Sequence, residues 1–178
     1  MIVPIIIVIV IAALLVMLIG TYNRLVALRQ KANEAFADID VQLKQRGDLI
    51  PNLVETVKGN SAHESAPLEA VTAARAAAAS ANGVEGKVQA ENALSGALGR
   101  LMAAAEAYPD LKANQTFIQL QTTLSDIENK LAAARRFFNN AVAEFNASIQ
   151  GFPAVLFAAA LGFTQRDFLD RGSDRTAA

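Results

Sequence analysis

The chain has 178 residues with 16 basic and 17 acidic side chains, a single His, no Cys and no Trp. Charge so evenly balanced and spread leaves no electrostatic footprint for nucleic acid. With no thiol, and His63 as the one imidazole, Cys–His catalysis is excluded and a zinc site would need carboxylates for nearly all its ligands. No Gly-rich phosphate loop is present either, so the residues call for no cofactor and display no enzymatic machinery.

Residues 2–20, IVPIIIVIVIAALLVMLIG, carry no charge. A helix rising ~1.5 Å per residue covers about 28 Å over this run, close to the ~30 Å hydrocarbon thickness of a bilayer. A strand of that length would leave its backbone groups unpaired. Ile5, Ile9, Leu14 and Leu18 are therefore expected in the membrane span. A cleaved signal peptide wants basic residues before its apolar core and a small-x-small site after it. Only the amino terminus precedes this run, Leu18-Ile19-Gly20-Thr21-Tyr22 is a poor site, and without Cys there is no lipoprotein anchor. Segment 1–21 reads as an uncleaved signal anchor. Arg24, Arg29 and Lys31 precede the first acid, Glu34, and basic residues beside a span tend to stay cytoplasmic. This predicts the N-terminus outside and the body in the cytoplasm.

A helix over 22–58 follows. Leu25, Leu28, Ala32, Ala35 and Ile39 form one stripe, and the phase then slips to Leu43, Ile50, Leu53 and Val57. Nothing between Gly20 and Lys31 breaks a helix, so span and first soluble helix can be one rod. Pro51 removes the donor to the Gly47 carbonyl, which predicts a kink there or, as the alternative, a full break with Asp48 as N-cap.

The next start lies near Ser61, spaced from Glu64 as a capping box, or at Ser65 with Pro67 in the first turn; His63 falls at this helix start or on its surface. Residues 68–80 are Ala-rich with Leu68, Val71 and Arg75, and 82–86 (Asn-Gly-Val-Glu-Gly) form the clearest turn. Another helix carries Val88, Leu94, Leu98, Leu101 and Met102 toward Tyr108-Pro109-Asp110.

The last helix, over 111–149, has Phe117, Leu120, Leu124, Ile127, Leu131, Ala134, Phe138, Ala141 and Phe145 in strict three-four alternation, a coiled-coil-like heptad seam. The fold class is all-α: a transmembrane helix, then an elongated antiparallel helical bundle over 22–163 with a mobile polar tail over 164–178.

The run YNRLVALRQKANEAFADIDVQLKQRGDLIPNLVETVKG, with His63-Glu64 and the later ARRFFNNAVAEFNASIQGFP, resembles the LemA family of bacterial membrane proteins. The similarity covers residues 22–163, and the long ungapped stretch IDVQLKQRGDLIPNLV makes it specific. It implies a helical bundle on a single span, and brings neither a reaction nor a cofactor. With the anchor and its basic flank, the bacterial inner membrane is the expected location. Gly47 stands where relatives commonly carry a basic or polar residue, producing Arg46-Gly47-Asp48. Integrin-type adhesion through that tripeptide needs an exposed extracellular loop, whereas here it lies in a helical pattern.

Arg46 falls between Leu43 and Ile50 at stripe spacing, so its stem borders the core and its charge needs a partner. Asn139 and Asn146, seven apart and each following a Phe, repeat on one side of the last helix. The three are candidate register or partner contacts, with plain packing or a solvated face as the alternative. Residues 152–163, FPAVLFAAALGF, are apolar on nearly every helical face yet too short to span, so Leu156, Phe157 and Leu161 are candidate assembly or lipid contacts. These features point to a non-catalytic, membrane-anchored scaffold that meets the lipid bilayer and forms a homo-oligomer. The alternative is a membrane-tethered adaptor that recruits or regulates a protein partner such as an envelope protease or sensor. Paired carboxylates such as Asp38 with Asp48 or Glu34 with Asp38 would be needed for an enzyme, and helical acids at such spacing are ordinarily solvated.

Overall fold

The computed structural model describes residues 2–60 and 65–169. His63 and the capping pair Ser61 and Glu64 lie outside the described residues, as does the chain from 170 onward. Among the described residues five helices follow in order: α1 (Ile2–Asn60), α2 (Ser65–Ser80), α3 (Gly83–Ala105), α4 (Pro109–Ala113) and α5 (Gln115–Gln150), then a short 3-10 turn at Ala154–Leu156. No strand occurs among the described residues, and the class is all-α.

The apolar run over 2–20 and the helix expected over 22–58 are one uninterrupted element. Every residue over 3–20 is solvent-exposed, including Ile5, Ile9, Leu14 and Leu18, and this is the one described helix long and apolar enough to cross a membrane. The full break with Asp48 as N-cap, the alternative to a kink, does not form, because α1 continues through Pro51. The Gly47 carbonyl that Pro51 leaves without its helical donor accepts a hydrogen bond from Arg75 Nε of α2 at 2.8 Å. The carbonyl is only part-buried, and the Arg75 bond replaces the helical donor that the proline removes.

The fold divides into two compact units. One takes in the chain up to Phe36 and then residues 136–168, and the other is built from residues 37–135. In the second unit Ile50, Leu53 and Val57 of α1 meet Leu68 and Val71 of α2, Leu94, Leu98 and Leu101 of α3, Leu111 of α4, and Phe117, Leu120 and Leu124 of α5 in one core. Alanines at Ala74 and Ala97 let α2 and α3 approach closely. The turn expected over 82–86 contracts to Ala81-Asn82, because Gly83 at φ +73° makes the reversal and helix resumes at once. The last long helix begins at Gln115 rather than at 111. Asn114 Oδ1 accepts the Phe117 N–H at 3.2 Å, which caps α5 and separates it from α4.

The first unit packs Leu25 and Leu28 of α1 against Phe145 and Ile149 of α5 and against Ala154, Ala158 and Phe163 from the chain beyond α5. Residues 152–163 form consecutive turns rather than a regular helix. They close in a Schellman arrangement: Gly162 at φ +76° donates to Ala159 O, and Phe163 N–H reaches back to Ala158 O at 2.9 Å. Only glycine adopts that backbone conformation without cost. The heptad seam is consumed inside the protein, with Phe117, Leu120, Leu124, Ile127, Leu131, Phe138, Ala141 and Phe145 all buried.

Candidate functional site

Arg46 is 4% exposed, as its place on the apolar stripe of α1 requires. Its Nη1 donates to Glu91 Oε2 of α3 at 2.9 Å. Nη2 donates to Ser95 Oγ one turn further along α3, also at 2.9 Å, and lies 3.0 Å from Glu128 Oε2 of α5. One guanidinium thus ties three helices together, using its planar fork in a way a lysine ammonium could not. Glu91 is 3% exposed, whereas half of the Glu128 side chain is exposed to water. Burial pushes the Glu91 carboxyl above its ordinary range, while the Arg46 charge and hydrogen bond, and more weakly Arg135, pull the other way. The Arg46-Gly47-Asp48 tripeptide therefore offers no exposed arginine for adhesion.

Beside this cluster an open cleft of about 490 Å³ is lined by Asp40, Lys44, Asp48, Arg75, Lys87 and Glu91 among others. Charges of both signs line it. Lys87 is paired with Asp40, and Arg75 is committed to the Gly47 carbonyl. No group of three or more metal-ligating side chains occurs among the described residues.

In the other unit, Asn146 is buried and holds the chain beyond α5 through both ends of its amide. Nδ2 donates to Arg166 O and Oδ1 accepts the Arg166 N–H, each at 2.9 Å. Arg166 Nη1 in turn donates to Asn33 Oδ1 of α1 at 2.6 Å, so a residue expected at the start of the mobile tail is instead anchored. Phe163 is the apolar counterpart of this clamp. Tyr22 and Phe145 meet its ring at 5.6 and 6.4 Å between centroids, and the Arg29 guanidinium lies 5.1 Å from its centre. Lys31 pairs with Glu144 at 2.8 Å and holds that exposed carboxyl below its ordinary range. The outward side of 152–163 stays uncovered. Phe152 is 78% exposed, Leu156 73%, Val155 54% and Leu161 44%, while Phe157 is half-buried.

The candidates therefore do not converge on one centre. Arg46 and Asn146 lie in different units, and Asn139 is half-buried on α5. Glu91, Ser95, Glu128 and Arg166 escaped the sequence-based expectations. Glu91 left a signal, since Glu91, Leu94, Leu98 and Leu101 are spaced as one stripe, and an acid on an apolar stripe needs a buried cation. Ser95, Glu128 and Arg166 left none.

The sequence pattern of the LemA family matches residues 35–178. The chain is also similar to magnetosome protein MamQ of Magnetospirillum gryphiswaldense, with 25% identity over an alignment covering 88% of this chain and 67% of that protein. Magnetosome proteins MamQ 1 and MamQ 2 of Paramagnetospirillum magneticum are each 23% identical, over 89% of this chain and 68% of theirs.

Proposed function

The chain belongs to the LemA family, and from that premise we propose that it is a non-catalytic, membrane-anchored scaffolding protein that presents a helical bundle at the membrane surface and self-associates. The observation that carries this is the uncovered apolar run over 2–20, which continues without a break into the helix that builds the bundle core. The buried ionisable groups support it too, because Arg46 and Glu91 are spent on each other and on packing rather than aimed at a substrate. Phe137, an aromatic left exposed on α5, is a side chain of the kind that protein interfaces cover. Light scattering on the detergent-extracted full chain tests self-association. One homogeneous mass of several chains is expected, and a monomer would overturn it. A monomer would favour a tethered adaptor, for which the charged cleft beside Arg46 offers a docking surface.

Arg24, Arg29 and Lys31 beside the span support a body facing the cytoplasm from the bacterial inner membrane. Protease added to spheroplasts should then spare the bundle. Digestion from outside would reverse the orientation.

A further inference from the structure

We propose that residues 152–161 are a second membrane contact: a preformed apolar platform that sits in the headgroup–acyl boundary of the same bilayer that α1 crosses. The proposal rests on the anchor reading of residues 2–20. Its starting point is depth. The apolar run ends at Gly20, and Tyr22 and Leu25 follow within about 8 Å along the helix axis. The interfacial layer beyond the hydrocarbon is itself roughly 5–8 Å thick on each side. Residues at this level hold the segment, joined by Leu28 and Arg29 one turn further along α1. Tyr22 meets Phe163, Leu25 shares a core with Ala154 and Ala158, and Thr21 and Arg24 line one pocket with Phe152 and Pro153.

The segment is also two-faced. Ala154, Ala158 and Phe163 are turned inward, whereas Phe152, Val155, Leu156 and Leu161 face out, in a stretch from Gly151 to Phe163 with no polar side chain. Burying a large apolar side chain is worth about 1.5–3 kcal/mol, so four of them held in water is a costly arrangement. The Schellman closure at Gly162, the Asn146 clamp and the packing of Phe163 hold the segment in place from the inner side. Such a side-on patch matches the way interfacial segments enter a bilayer by ~5–10 Å. Lipid is the occupant because the segment meets α1 at the foot of the span, where Phe152 and Pro153 share a pocket with Thr21 and Arg24, and because exposed Arg24 and Tyr22 stand at the level of the headgroups.

The chain has no Trp, so a single introduced indole reports its own surroundings. Leu156→Trp, Leu14→Trp and Phe137→Trp are each made in the full chain and reconstituted into phosphatidylcholine–phosphatidylglycerol vesicles, with and without brominated acyl chains. All three sites are exposed, so helical content should be unchanged by circular dichroism. Leu156→Trp should be blue-shifted and quenched by brominated lipid as Leu14→Trp is. Phe137→Trp, 13 residues or about 20 Å before α5 ends, should be neither quenched by lipid nor changed by bromination. Quenching at Leu14 with a solvent-like emission at Leu156 overturns the platform and leaves the anchor standing. A blue shift at Leu156 without lipid quenching also overturns it, by placing the patch against a second copy of the chain. Absence of quenching at Leu14 overturns the anchor itself, and the platform with it.

Discussion

The Arg46 cluster and the Asn146–Phe163 clamp handle opposite packing problems in the two units. Around Arg46 a full charge is placed inside the bundle and neutralised by Glu91 and Glu128 from two other helices. Around Phe163 the interior is aromatic, one buried amide reads a backbone peptide, and the apolar side chains that remain are turned outward. Charge inside sets helix register, because a shift of one residue would leave an unpaired ion in the core. Apolar surface outside sets what the protein must touch, because water is the one neighbour it disfavours. The difference teaches that in this chain the buried ionisable groups serve the fold, whereas the largest exposed side chains beside the Phe163 core are hydrocarbon.

The largest expected effect breaks the first half of this comparison. Arg46→Ala leaves Glu91 buried without its cation, and stripping one partner from a buried pair costs about 3–5 kcal/mol. Thermal unfolding of the detergent-solubilised chain should move sharply downward. Arg46→Met combined with Glu91→Leu removes both charges and should recover most of the loss. An unchanged melt for Arg46→Ala would show that the cluster carries no register information.

Next comes Asn146→Ala, which deletes two hydrogen bonds and leaves the peptide groups of Arg166 unpaired, at about 1–3 kcal/mol. Limited proteolysis should then cut near residues 164–169 while the core of the 37–135 unit stays protected. Protection equal to the unaltered chain would mean Phe163 alone holds the segment.

A smaller effect separates the two carboxylates by the sign of their pH dependence. Glu91 is held above its ordinary value of 4.5 by burial, so the folded protein keeps its proton where the unfolded chain releases it. Its contribution to stability is complete below that ordinary value and is lost as pH rises through the folded one. Relative to Glu91→Gln, the unaltered chain should therefore lose stability as pH climbs from about 4.5 and level off once the folded group ionises. A gap that widens in the opposite sense would mean that Arg46 outweighs burial.

Glu144 should behave in reverse, and most weakly. Lys31 holds its carboxyl below 4.5, so its contribution is present above that value and is lost as pH falls through the folded one. The pair is solvent-exposed, so Glu144→Gln should change the melt least of the set, and added salt should erase the difference.

What could be read from the residues alone was whatever depends on local length and period. The helix over 2–20 follows from an uncharged run of bilayer length. The stripe from Leu25 to Ile39 and the alternation from Phe117 to Phe145 follow from the 3.6-residue turn, and their positions are buried in the structure, with Ala134 partly so. The need for a partner at Arg46 was equally local, since a charge on an apolar stripe must be answered whatever answers it. Which group answers it was a tertiary decision. Glu91 is 45 residues away from Arg46, Arg75 is 28 from Gly47, and Arg166 is 20 from Asn146. The first two distances are closed only when helices pack side by side and the third only when the chain beyond α5 folds back on it, and no period within one helix encodes either. The same holds for residues 152–163. Composition marked them as apolar throughout, but only the packing of Ala154, Ala158 and Phe163 against α1 and α5 selected which side chains remained to face outward.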